Sequence, residues 1–272
     1  MAGRGIQDGH RARKRFGQNF LVDPGVIARI LAAIPHKGEL VEIGPGLGAL
    51  TLPLAGRGDR VVAIELDRDV ITRLRVKADA EGAGPRVEIV PQDALRLDLA
   101  ALAETSALTP PLTIVGNLPY NIATALITRL LAQAERIDEM VFMVQKEVAD
   151  RLAAAPGDSA YSRLSVLVSA QAEVEHLFDV PPGAFNPPPK VDSSIIRLTP
   201  RREPLIPAAD WPRFERLVTA AFTQRRKTLR NNLKPLMPAS TIEASGIDPS
   251  LRAQALDIPA FLTLARLLDP TD

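Results

Sequence analysis

Between Glu39 and Ala155 the chain alternates short apolar runs with stretches of helical spacing, and that alternation admits few folds. ELVEIG (39–44), RVVAIELD (60–67), RVEIVPQDA (86–94), LTIVGN (112–117) and EMVFMVQ (139–145) each read as a strand. GALTLPLAGRG (48–58), RDVITRLRVKADA (68–80), ATALITRLLAQA (123–134) and KEVADRLAAA (146–155) read as helices between or after them. Apolar strands alternating with helices imply a parallel sheet covered on both faces. Such sheets bind ligands beyond the carboxyl ends of their strands, where the strand order switches. Strand ends are therefore where chemistry is expected.

The flanks carry their own punctuation. Asp23-Pro24 reads as an N-cap followed by proline at the first helical position, opening a helix to about Ala33. Asp67 caps the helix after the second strand, and Pro53 must fall near the first turn of its helix. Past the small-residue loop APGDSAY (155–161), AEVEHLFDVP (172–181) alternates like an exposed-edge strand, and VDSSIIRLTP (191–200) is another. Between them PPGAFNPPPK (181–190), with five prolines, reads as a rigid extended loop. From Arg201 onward no strand pattern survives. DWPRFERLVTAAFTQ (210–224) and DIPAFLTLARLLD (257–269) follow helical spacing behind Asp and Pro. The expectation is two domains, 1–203 with a basic N-terminal arm and 204–272, the latter helical.

Composition narrows the chemistry. Among 272 residues there is no cysteine, so disulfides and thiolate metal sites are excluded, and His10, His36 and His176 have no metal-ligand spacing. Apolar residues make up 46%, enough for a sizeable core, yet no run is long enough to span a bilayer and no signal peptide is recognisable. A soluble, cytoplasmic monomer is expected. The net charge of +1 conceals two acid-free basic clusters. One holds Arg11, Arg13, Lys14 and Arg15; the other, between Arg216 and Ile242, holds Arg225, Arg226, Lys227, Arg230 and Lys234. Each alone is an ordinary solvated face; together they point to a polyanionic partner.

Four consecutive strand ends carry polar or glycine residues. The first ends in EIGPGLG, where Gly44 and Gly46 permit close backbone approach. The second ends in Glu65, about 20 residues on, the spacing that grips a ribose diol. The third is followed by Asp93, placed to meet the exocyclic amine of an adenine, and the fourth ends in Asn117. A dinucleotide is disfavoured because the glycines fall as G-x-G-x-G, and Pro45 removes a donor that a pyrophosphate needs. S-adenosylmethionine carries no phosphate and fits better. In VGNLPYNIATA (115–125), Asn117 Oδ1 and the Leu118 carbonyl offer two acceptors to an aromatic amine, whose lone pair is otherwise delocalised. Pro119 stiffens the turn and Tyr120 stacks on the base, a contact worth roughly 1–3 kcal/mol. A flipped adenine would fit the grip of this turn.

NLPY resembles the N/D-P-P-Y signature of adenine amino-methyltransferases. RKRFGQNFL, EIGPGLGALT, IELD, QDA, GNLPYNIAT, QKEVADRL, FNPPPKVDSS and AFTQRRKTLRNNL occur in order from residue 13 to 233. The chain thus resembles the ribosomal RNA adenine dimethyltransferase family, and its small-subunit branch in particular. The resemblance implies an α/β, Rossmann-like class I methyltransferase sheet with helices on both faces, plus a small C-terminal helical domain. It implies transfer of two methyl groups to each of two adjacent adenosines in the 3′-terminal hairpin of small-subunit (16S) rRNA, in a pre-30S particle, from S-adenosylmethionine. It places donor binding on Asn19, Leu21, Gly44, Gly46, Glu65, Leu66, Asp93, Ala94 and Asn117. Catalysis falls on Asn117, Leu118, Pro119 and Tyr120, with Phe185 as a second aromatic sandwiching the target base. RNA contacts fall on Arg13, Lys14, Arg15, Arg225, Arg226, Lys227 and Arg230. Ala125 departs from the proline more usual there in the family. The rivals are a large-subunit rRNA adenine methyltransferase of the antibiotic-resistance type, a non-catalytic assembly factor, and a nucleotide-cofactor oxidoreductase.

Overall fold

The computed structural model describes residues 19–268, together with the two-residue strands Ile6–Gln7 and His10–Arg11. Arg13, Lys14 and Arg15 lie outside the described residues. Seven strands form one sheet: β1 Glu39–Ile43, β2 Arg60–Glu65, β3 Val87–Pro91, β4 Leu112–Asn117, β5 Ile137–Gln145, β6 Ala172–Val180 and β7 Ser193–Pro200. They lie in the order β3-β2-β1-β4-β5-β7-β6. Strands β1 to β5 pair in parallel, whereas β7 runs antiparallel to β5, with Ser193 opposite Gln145. The sheet is therefore mixed, with helices on both faces. Five parallel strands match the alternation in the sequence. The antiparallel return arises because β6 and β7 are joined without a helical crossover.

The order reverses between β1 and β4, which opens a crevice there. These central strands are apolar on both faces: Leu40, Val41, Ile43, Ile114 and Val115 are buried. Around the crevice stand α1 Pro24–Ala33, α2 Thr51–Gly56, α3 Arg68–Ala80, α4 Leu99–Thr105 and α5 Ala123–Leu131. Their starts follow the capping residues. Asp23 accepts from Val26 N at 2.9 Å and Asp67 from Asp69 N at 3.1 Å. The far end of α1 is held by Arg57, which donates to the carbonyls of Leu31, Ile34 and Pro35 and pairs with the buried Asp59. A second compact unit comprises Asp150–Val174 and the chain from Arg201 onward. Its helices include α6 Lys146–Ala153, which begins in the first unit, α7 Arg163–Ser169, α8 Trp211–Ala221, α9 Leu229–Asn232, α10 Ala239–Ala244 and α11 Ile258–Ala265.

The sequence reading placed 150–174 with the sheet, whereas the structure places it in the helical unit. Tyr161, Val166, Leu167 and Ala170 pack into one core with Phe214, Leu217, Leu229 and Phe261. Tyr161 also donates to the Leu256 carbonyl at 3.1 Å and meets Phe222 edge-on at 6.1 Å. Apolar periodicity marks a helix but says nothing about which core its buried face joins. No described helix is long and apolar enough to cross a membrane, and no group of three metal-ligating side chains occurs among the described residues.

Candidate active site

A cavity of about 460 Å³ opens at the carboxyl ends of β1 to β4, within the size range of small-molecule sites. Its floor is the turn after β1. Gly44 and Gly46 there have φ of 67° and 54°, values that L side chains rarely adopt. A Cβ at Gly46 would also sit 3.3 Å from the Phe20 ring, so the tight turn and the adjacent aromatic wall require glycine. Asn19, Phe20 and Leu21 enter from the other side, just before α1, and line the cavity.

Glu65 sits at the end of β2 with its carboxylate held by main-chain donors. Oε1 accepts from Leu66 N at 2.7 Å and Asp67 N at 2.9 Å, and the Gly46 N–H adds a further bond. Burial raises its pKa above the ordinary carboxylate value, against these hydrogen bonds. Beside it Leu66 is 52% exposed and lines the cavity, where it offers an apolar surface to a ligand. Asp93 caps the short turn Ala94–Arg96 through Oδ1 on Leu95 N at 2.9 Å. Its Oδ2 has no hydrogen bond among the described residues. Asp93 is thus both a cap and a wall of the cavity, with Ala94 next to it.

Glu42, in β1, was not singled out from the sequence. It is 2% exposed, yet it lines the cavity. Oε2 accepts from the Thr51 hydroxyl at 2.6 Å, and Oε1 has no hydrogen bond among the described residues. Burial pushes its pKa up to about 7; the Thr51 hydroxyl opposes this and the Glu65 charge adds to it. The signal was present in ELVEIG: a carboxylate inside a strand apolar on both faces is rarely there for packing.

The turn after β4 closes the cavity. Leu118 N donates to Met143 O at 3.0 Å, which ties the turn to β5. The N–H groups of Ile122 and Ala123 both donate to Pro119 O, leaving the Leu118 carbonyl outside the turn's own hydrogen bonding. Asn117 Nδ2 donates to the Asn19 carbonyl at 3.2 Å. That bond fixes the amide with its nitrogen engaged and Oδ1 as the spare acceptor. Tyr120 is half-buried on the cavity wall, and its hydroxyl lies 2.6 Å from Ser193 Oγ. Two acceptors, one aromatic face and a carboxylate-rimmed cavity converge on one mouth.

The model of the ribosomal RNA adenine dimethylases matches residues 9–269. This chain belongs to the ribosomal RNA adenine dimethylase family. Ribosomal RNA small subunit methyltransferase A of Pseudomonas aeruginosa is 56% identical over 261 residues, 95% of each chain. Its namesake from Thiobacillus denitrificans is 49% identical over 95% of this chain and 98% of its own. Among solved structures, a dimethyladenosine transferase from Plasmodium falciparum superimposes with a TM-score of 0.74 at 27% identity, covering 90% of this chain and 95% of that one. The 23S rRNA methyltransferase ErmE gives 0.69 at 31% identity, covering 92% and 100%.

The dimethylase's methyl donor is S-adenosylmethionine. The cavity fits it: a main-chain-held carboxylate at Glu65, an exposed apolar side chain at Leu66, a spare carboxylate oxygen at Asp93, and in the glycine turn Pro45, which has no N–H to offer a pyrophosphate. Asn19, Leu21, Gly44, Gly46, Glu65, Leu66, Asp93, Ala94 and Asn117 all line it, as do Leu118, Pro119 and Tyr120. Phe185 does not. It is 3% exposed and packs in the core of the sheet unit, which corrects the expectation that it is presented to the target base. The cause is a strand pairing between distant segments. Phe185 and Asn186 bond antiparallel to Leu21 and Phe20, and Val22 N donates to Ala184 O, which turns the Phe185 ring inward. The phenylalanine at the cavity is Phe20.

In the helical unit, helix α8 stops at Ala221, and TQRRKT lies on a loop rather than a helix. Asn232 Nδ2 donates to the carbonyls of Ala221 and Gln224 at 2.6 and 3.1 Å, terminating the helix and folding the loop. Arg225, Arg226, Lys227 and Arg230 are exposed there, with Arg225 donating to the Ser159 carbonyl.

Proposed function

We propose that this dimethylase places two methyl groups on N6 of each of two adjacent adenosines in the 3′-terminal hairpin of small-subunit rRNA, acting as a monomer on the pre-30S particle. The observation that carries the reading is the orientation of Asn117. Its nitrogen is spent on Asn19, so Oδ1 and the Leu118 carbonyl are two acceptors at the mouth of the donor cavity.

S-adenosylmethionine supplies an electrophilic methyl carbon on a sulfonium. Asn117 Oδ1 and Leu118 O accept the two N6 hydrogens, which favours a tetrahedral nitrogen and aims its lone pair into the cavity. Tyr120 holds the base plane. The lone pair forms the new N–C bond as the C–S bond breaks, its electron pair remaining on sulfur. The nitrogen is then cationic and acidic, so its proton passes to solvent without a dedicated base. The turn contributes alignment and fixed dipoles. After one methyl, one N6 hydrogen remains, and either acceptor can hold it.

Exposed Arg225, Arg226, Lys227 and Arg230 supply phosphate contacts, with Arg13, Lys14 and Arg15 as a second group. Identity of 56% to a small-subunit methyltransferase, against 31% to ErmE, supports the small-subunit substrate over the large-subunit one. The test is incubation with labelled donor and unmodified small subunits, then mass spectrometry of the RNA digest. N6,N6-Dimethyladenosine at two neighbouring positions is expected. Label appearing only in large-subunit RNA, or in none, overturns the proposal.

A further inference from the structure

Ser193 is the first residue of β7, immediately after the proline segment, and is fully buried at 0% exposure. A buried hydroxyl must find a partner, and the one it has is functional: the Tyr120 hydroxyl at 2.6 Å. The bond joins residues 73 apart in sequence, linking the catalytic turn to a strand that contributes nothing else to the cavity. Tyr120 is otherwise a turn residue on the wall of an open cavity, where a ring on a single-bonded stem is free to swing. In either donor assignment, the contact fixes the far end of the phenol and hence the plane of the ring.

The support for Ser193 is itself anchored. Ser193 pairs with Gln145 and Ser194 with Val144 on β5, and Lys146 N donates to Asp192 O at 3.0 Å. Ser194, pointing to the opposite face of the strand, donates to Asp179 Oδ1 at 2.7 Å. Asp179 also takes Lys146 at 2.8 Å on Oδ2 and His176 at 2.8 Å on Oδ1. Two neighbouring serines thus peg the start of β7 from both faces, and only Ser193 reaches the active site.

We propose that Ser193 is a positioning residue that sets the stacking plane of Tyr120 for the target base. The proposal rests on the methyltransferase reading above, and its test separates the two. The chain has only two tyrosines, Tyr120 and Tyr161, so ¹³C-labelled tyrosine gives two ring Cζ resonances that can be assigned by substitution. In Ser193→Ala the Tyr120 resonance shifts and its phenol titrates at higher pH, since the Ser193 bond lowers a pKa that burial raises. The Tyr161 resonance stays put. With small subunits, Ser193→Ala and Tyr120→Phe each lower kcat by about 10- to 100-fold, the scale of a misplaced reacting group. Donor affinity of Ser193→Ala by calorimetry is unchanged, the double variant is no worse than the poorer single, and Ser193→Thr restores turnover.

An unmoved Tyr120 resonance, wild-type kcat in Ser193→Ala, or losses that multiply in the double variant overturns the proposal. Should Ser193→Ala fail to fold, Tyr120→Phe carries the test alone, because it leaves Ser193 in place; wild-type kcat there is equally fatal. A shifted resonance with no methylation by the wild-type chain would instead overturn the proposed function.

Discussion

Glu42 makes the donor-free protein pay for its own active site, and the cost has a pH signature. Its pKa is raised from 4.5 to about 7, chiefly by burial, so the folded chain keeps a proton that the unfolded chain releases. Between those values the folded state binds more protons, and stability therefore falls as pH rises through that window and levels off above about pH 7. At about 1.4 kcal/mol per pH unit, the loss from this one group is about 3 kcal/mol by pH 8. Glu42→Gln keeps an oxygen for the Thr51 hydroxyl and has nothing to ionise. In urea unfolding without donor, the variant is expected to be about 3 kcal/mol more stable than wild type at pH 8, and less than about 1 kcal/mol more stable at pH 5. A gain of equal size at both pH values would refute the reasoning. The same carboxylate should favour a cationic ligand. Donor binding at pH 6.5 is expected to release protons, read by calorimetry in two buffers of different ionisation enthalpy, and Glu42→Gln to abolish that release while weakening affinity. Wild-type heats that do not depend on buffer would sink this second limb.

Three further expectations concern the rest of the site. Glu65→Ala should abolish donor binding by calorimetry while circular dichroism remains native, because the losses are confined to the cavity, namely the carboxylate and its bonds to the Leu66, Asp67 and Gly46 N–H groups; unchanged affinity removes the ribose assignment. Asn117→Ala should still bind donor but methylate several hundredfold more slowly, on the order of the 10²–10³ lost with one preorganised group; normal turnover refutes the two-acceptor geometry. Replacing Arg225, Arg226 and Lys227 with Gln should weaken binding to small subunits and flatten its salt dependence by up to about three phosphate contacts, and an unaltered salt slope would make the loop an ordinary solvated surface.

The strand ends were legible in the sequence for a physical reason. In a parallel sheet, each strand and the residues just after it are contiguous in the chain, so Gly44, Glu65, Asp93 and Asn117 declare themselves locally. What stayed hidden depends on contacts between distant segments. Asn117 is oriented by Asn19 across 98 residues, and Tyr120 meets Ser193 across 73. Phe185 misled because prolines on both sides suggest a projecting loop, whereas its pairing with Leu21 buries it. Gly116 is the plainest instance. In sequence it is one glycine before Asn117, with no turn to explain it. In the structure, a Cβ there would fall 2.4 Å from the Ile43 carbonyl, so β4 and β1 approach as closely as they do only because position 116 has no side chain. That approach sits directly behind the glycine turn of the donor cavity and the Asn117 turn of the catalytic mouth. A Cβ at Gly44 would likewise lie 3.5 Å from Asn117 O, so the two turns share a wall. A backbone distance that only the assembled sheet reveals thus holds the Gly44 turn and the Asn117 turn against each other.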